Sequence, residues 1–116
     1  MPVIATSGWK TEFQKELDQA DRARAGGNEG MARVCARRAA GIVISEYLQR
    51  RGFPNPGPSA YDRLTLFNTL PDVADQLKEI ANHFLLKVTI DHDLPIKVDL
   101  VSEVRWLAGQ LIGDSG

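Results

Sequence analysis

The sequence has one cysteine, Cys35, and two histidines, His83 and His92. A lone cysteine cannot form a disulfide within the chain, and the apolar helix face around Cys35 predicts a small core residue rather than a nucleophile. Asp91 and Asp93 flank His92. A histidine with two carboxylates can bind a metal, or the histidine can act as a base that a carboxylate orients. Because no second cluster of such side chains supplies further ligands, we expect a surface loop there and no metal, with a metal site as the alternative.

Long apolar runs are also missing. No stretch approaches the roughly 18 to 20 apolar residues that a membrane span requires. The opening segment MPVIATSGWK lacks a basic region followed by an apolar one, so it does not resemble an export signal. We therefore expect a cytoplasmic protein with no membrane partner.

The composition is that of an ordinary globular protein, with 43% hydrophobic and 25% charged residues. These fractions argue against disorder and against fibrous or membrane classes. A chain of 116 residues fits one domain, residues 1–116, with a single core. Internal repeats, glycine-rich phosphate motifs and strand alternation are all absent from the sequence, which leaves no cofactor motif and favours helices.

Helical periodicity predicts an all-α fold, an antiparallel four-helix bundle with one additional short helix. Thr6 or Ser7 is suited to cap the first helix, Asn28 the second and Ser59 the short one. The second helix is apolar around much of its circumference, which predicts a central position. The expected helices run from about Gly8 to Ala25, Glu29 to Arg51, Ser59 to Phe67, Pro71 to Thr89 and Asp99 to Gly113.

One charge interrupts the apolar pattern of the second helix. Arg38 projects between Met31, Cys35 and Ile42, on a stripe that we expect to face inward. Because a buried guanidinium is costly without an anionic neighbour, Arg38 needs a partner. The first interpretation is an ion pair with Asp18, Glu79 or Glu103 from another helix, and the alternative is an anion-binding site.

Basic residues are concentrated in the same part of the chain. Residues 22–51 hold seven of the nine arginines and a net charge of +5. Arg33 and Arg37 are one helical turn apart and are expected to face outward together, either as a solvated charged face or, with Arg38, as a site for a nucleotide or a nucleic acid.

Trp106 is the second exception to the pattern. It lies opposite Val101, Val104 and Leu111, on the face of the last helix that we expect to be exposed. Tryptophan is enriched at interfaces, so Trp106 predicts a contact, either with a loop of the same chain or with a second subunit. His83, at the edge of the stripe on the preceding helix, is expected to make a boundary hydrogen bond.

The order of these segments resembles the HEPN family of helical nucleotide-binding domains. The resemblance covers most of the chain. It rests on the glycine-separated first hairpin, the helix ARVCARRAAGIVISEYLQRRG, the short helix after the loop, and the final segments DVADQLKEIANHFLLKV and DLVSEVRWLAGQL.

Many members of that family cleave RNA with an arginine followed four to six residues later by a histidine, in an active site shared across a dimer. This chain departs from the motif. Its nearest pairs are Lys87 with His92 and Lys78 with His83, and lysine lacks the planar grip of arginine on phosphate. Since other members act without the motif as interaction modules, the resemblance implies a non-catalytic homodimer, with RNA cleavage by Lys87 and His92 as the alternative.

Overall fold

Every regular element in the described part of the chain is a helix. The structure is a computed structural model that describes residues 3–53, 57, 59–86 and 98–112, with side chains from residue 8 onward in those ranges. The all-α prediction is confirmed. In chain order the helices are α1 (Val3–Ala25), α2 (Glu29–Arg50), α3 (Ala60–Asn68), α4 (Asp75–His83) and α5 (Leu100–Ile112).

The turn between α1 and α2 is built as the sequence predicts. Gly27 has a φ of 83°, a left-handed conformation that glycine adopts without a steric penalty. The Asn28 side chain then accepts a hydrogen bond of 3.0 Å from the Met31 backbone N–H, which caps the start of α2. The expected cap at Thr6 or Ser7 is wrong, because α1 begins at Val3 and both residues lie inside it.

Helix α2 is central. It packs against α1, α3 and α5, while α4 contacts α3 and α5. Its buried face consists mainly of small residues, and this face is the part of α2 that its neighbours can approach most closely. The buried residues of α2 are Ala32, Cys35, Ala36, Ala39, Ala40, Gly41, Val43, Ile44 and Leu48.

In this packing, α2 is rotated about its own axis relative to the orientation that the sequence predicted. Met31 is 44% exposed, and Arg38 is exposed as well. The prediction that Arg38 faces inward is therefore wrong. The larger side chains of Met31 and Ile42 suggested the inner stripe, but the alanines form it because they permit shorter distances between helix axes.

Helices α3 and α5 begin at side-chain caps. The Ser59 hydroxyl accepts hydrogen bonds from the Tyr61 and Asp62 backbone N–H groups at the start of α3. The Asp99 carboxylate accepts hydrogen bonds from the Val101 and Ser102 backbone N–H groups at the start of α5. Both predicted starts are confirmed. None of the described helices is long and apolar enough to cross a membrane.

Helix α4 is shorter than the sequence predicts. It begins after Ala74 and ends before Phe84, whereas helical structure was expected from Pro71 to about Thr89. Residues 71–73 form a turn that buries Val73 in the core, and the backbone has left the helix by Leu86. Residues 87–89 lie outside the described part of the chain.

Helices α2 and α3 approach each other closely at Gly41. A Cβ atom at this position would lie 3.0 Å from the Ala60 Cβ and 3.2 Å from the Ala60 Cα. We expect Gly41→Ala to lower the free energy of unfolding by about 1 to 3 kcal/mol through overpacking, measured by urea denaturation. Gly30→Ala, on the same helix with only ordinary contacts, is the control and is expected to match or exceed wild-type stability. Equal stability of wild type and Gly41→Ala would contradict this packing.

Candidate functional site

Arg37 connects α2 to the end of α4. Its Nε donates to the Phe84 carbonyl at 2.6 Å and its Nη2 to the Leu86 carbonyl at 3.3 Å. Burial lowers the pKa of the Arg37 guanidinium. The prediction that Arg37 faces outward beside Arg33 is wrong, because the carbonyls that end α4 need donors and Arg37 supplies them.

Arg38 lies about 100° around α2 from Arg37, as successive residues of a helix do, and it is exposed. No carboxylate of the described residues lies within ion-pair distance of it. The expected partners are engaged elsewhere or not in contact: Asp18 accepts a hydrogen bond from Gln14, and Glu103 contacts His83. Arg33 is half-buried.

A histidine and a carboxylate join α4 to α5. The Nδ1 atom of His83 lies 2.8 Å from the Glu103 Oε1 atom, and both side chains are half-buried. This contact confirms the predicted boundary hydrogen bond of His83. The alternative catalytic pair, Lys87 and His92, lies outside the described residues, as do Asp91 and Asp93.

Arg24 makes the most extensive charged contact of the described structure. Its guanidinium donates to both carboxylate oxygens of Glu29 at 3.0 and 2.7 Å, and to both oxygens of Asp99 at 3.2 and 3.0 Å. Three helix ends therefore meet at one cation. Hydrogen bonds from Arg24 are the main cause that lowers the pKa of Glu29 and of Asp99.

Arg24 was not among the residues predicted from the sequence. The available signal was its position in the last turn of α1, five residues before Glu29, combined with opposite net charges in neighbouring segments. A second ion pair joins the same two helices α1 and α5, with Arg105 Nη2 lying 2.8 Å from Asp21 Oδ2.

Trp106 is 38% exposed, as its position opposite the core residues of α5 predicts. An apolar groove lies beside it, between the first half of α1 and the last turns of α5. We call this cavity of about 320 Å³ the α1–α5 groove. It is lined by Trp9, Lys10, Phe13, Gln14, Ala108, Gly109 and Ile112.

Gly109 makes the indole and the groove one continuous surface. It is three residues from Trp106 on α5 and also lines the groove. An added Cβ at Gly109 would meet no atom within 4 Å, so this part of the surface is open to an approaching molecule. The rings of Trp9 and Phe13 are 6.2 Å apart at the opposite side of the groove.

The thiol of Cys35 is poorly placed to act as a nucleophile. Cys35 is buried, its Sγ lies 3.9 Å from the Gln19 Oε1 atom, and burial is the main cause that raises the pKa of the thiol. A raised pKa leaves less of the reactive thiolate at neutral pH. No group of three or more metal-binding side chains occurs within the described residues.

Comparisons with protein families, with curated proteins and with solved structures gave no match to this chain.

Arg24 provides a test by pH. A carboxyl group whose pKa is lowered in the folded state stabilises that state at pH values above its unfolded pKa, near 4. This stabilisation is lost as the pH falls through the pKa of the group in the folded state. We expect Arg24→Gln to reduce the free energy of unfolding at pH 7 and to differ less from wild type at pH 3. Urea unfolding across this range measures the difference.

Arg22→Gln is the matched control, since Arg22 is exposed in the same helical turn. It is expected to follow the wild-type pH profile. An Arg24→Gln deficit that stays constant from pH 7 to pH 3 would contradict the assigned contacts.

Proposed function

We propose that this chain is a non-catalytic interaction module, an HEPN-like antiparallel four-helix bundle with one additional short helix, and that it acts as a homodimer. The order of its elements supports the HEPN-like part of the proposal: a glycine-separated hairpin of α1 and α2, the short α3, and the final pair α4 and α5. The single buried thiol supports a cytoplasmic location, where disulfides are rare.

The exposed indole of Trp106 is the observation that carries the dimer. The opposite face of α5 is committed to the core through Val101, Val104 and Leu107, so Trp106 cannot turn inward without removing them. An exposed tryptophan beside an apolar groove is typical of an interface residue.

A two-fold axis suits the arrangement of this surface. In a two-fold dimer, each patch contacts the complementary patch of the other copy. Because Trp106 and the α1–α5 groove are adjacent on one face, two copies can each place an indole at the groove of the other. Both apolar features are then removed from water by a single contact.

Sedimentation velocity at micromolar concentration tests the dimer. We expect wild type to sediment as a dimer and Trp106→Ser as a monomer with unchanged helical circular dichroism, since truncation of a central interface tryptophan costs about 2 kcal/mol or more. Tyr61→Ser is the matched control, because Tyr61 is 62% exposed on α3, away from the proposed interface. Monomeric wild type, or dimeric Trp106→Ser, would overturn the proposal.

A further inference from the structure

A second surface lies on α2, on the side turned away from its alanines. We call it the outer face of α2 and define it by Met31, Val34, Arg38, Ile42 and Ser45. Met31 is 44% exposed, Arg38 is exposed, and the other three are half-buried. Their spacing of three, four, four and three residues is the spacing by which helices pack side by side.

The neighbouring helices leave a cavity at the C-terminal end of this face. Helices α1 and α3 each pack on α2, and at its C-terminal half they enclose a cavity of about 280 Å³. Ile42 and Ser45 line its floor, and Trp9 of α1 and Arg63 of α3 line its walls. A cavity between helices at one end of an exposed helix face can receive an apolar side chain of another helix, which presents such side chains at intervals of three and four residues.

Arg38 determines the charge that such a helix must carry. It is the exposed cation among the apolar residues of the face, and no carboxylate of the described residues pairs with it. The nearby cation Arg63 is already engaged, since it donates to the Gly57 carbonyl at 3.0 Å and the Gly41 carbonyl at 3.3 Å. Covering Arg38 without an opposing carboxylate would leave a desolvated charge unpaired.

The other charges of the cavity favour a protein partner over a polyanion. Glu12 lines the same cavity, and so does Glu46, whose carboxylate is paired with Arg50 at 2.8 Å. Acidic groups there would repel a continuous row of phosphates. Glu16 of α1 lies near Cys35, as Arg38 does, but no ion pair joins Glu16 to Arg38, so one carboxylate of a partner at the level of Arg38 meets an exposed cation.

We propose that the outer face of α2 binds an amphipathic helix of a partner protein, with one carboxylate opposite Arg38 and apolar side chains on either side of it. This surface does not include Trp106, and it shares one lining residue, Trp9, with the α1–α5 groove. It adds a binding activity to the proposed dimer and does not depend on it.

Two synthetic peptides test the proposal. Each is a labelled amphipathic helix of about 18 residues, roughly five turns, with leucine or isoleucine at the heptad a and d positions. The peptides differ only at the central a position, which is glutamate in one and lysine in the other. Fluorescence anisotropy titrations measure the Kd of each peptide for the full chain.

We expect wild type to bind the glutamate peptide about tenfold more tightly than the lysine peptide, the size of effect that a close charge pair produces. Arg38→Glu is expected to reverse this order. Arg22→Glu makes the same change of net charge at an exposed position of α1 and is expected to keep the wild-type order of the two affinities. Trp106→Ser is also expected to keep it, which separates this test from that of the dimer.

Equal affinity for the two peptides, no binding of either at about 1 mM, or an unchanged order in Arg38→Glu would overturn the proposal. A monomeric Arg38→Glu variant beside a dimeric wild type would also overturn the proposal, because a second copy of the chain would then be the occupant of this face.

Discussion

The close packing of the small residues of α2 is the constraint on which the rest of the structure depends. Ala36, Ala39 and Ala40 are fully buried and offer little side-chain volume between helix axes, so three neighbours can pack on one helix. Gly41 likewise allows α3 to approach α2 closely at Ala60. Once the alanine face points inward, the helical period sends Arg37 towards α4 and Arg38 to solvent. The two surfaces proposed for binding are the faces that this packing leaves uncovered.

Charged groups connect the helices at the edge of this core. Within the described residues, no charged or polar residue is fully buried, and the cross-helix contacts of Arg24, Arg37 and His83 lie at its boundary. Arg37 supplies donors to backbone carbonyls after α4 that packing alone leaves without partners, whereas Arg24 and His83 contact side-chain carboxylates. Water screens the exposed ion pairs of Arg24, so these pairs fix the register of the helices more than they add to total stability. Arg38, in contrast, is exposed and has no carboxylate of the described residues within ion-pair distance.

The sequence predicted the elements better than their faces. Asn28 and Ser59 were identifiable as caps, and Asp99 as lying at the start of the last helix, because capping is local chemistry between residues two or three positions apart. The orientation of α2 was missed because its apolar residues surround the helix, and periodicity then gives no single inner face. Alanine carries a weak hydrophobic signal, and only the tertiary contacts show how closely the neighbours approach. The role of Arg24 likewise depends on Asp99, which lies 75 residues away along the chain.

Arg37 and Arg38 provide the most direct test of this orientation, because they are adjacent and chemically identical. The measurement is the free energy of unfolding of Arg37→Met and Arg38→Met in urea. Loss of the Arg37 hydrogen bonds to the carbonyls of Phe84 and Leu86 is expected to cost about 1.5 to 3 kcal/mol, and loss of exposed Arg38 is expected to change stability by less than about 0.5 kcal/mol. The reverse order, with Arg38→Met the more destabilised variant, would contradict the inward orientation of the alanine face.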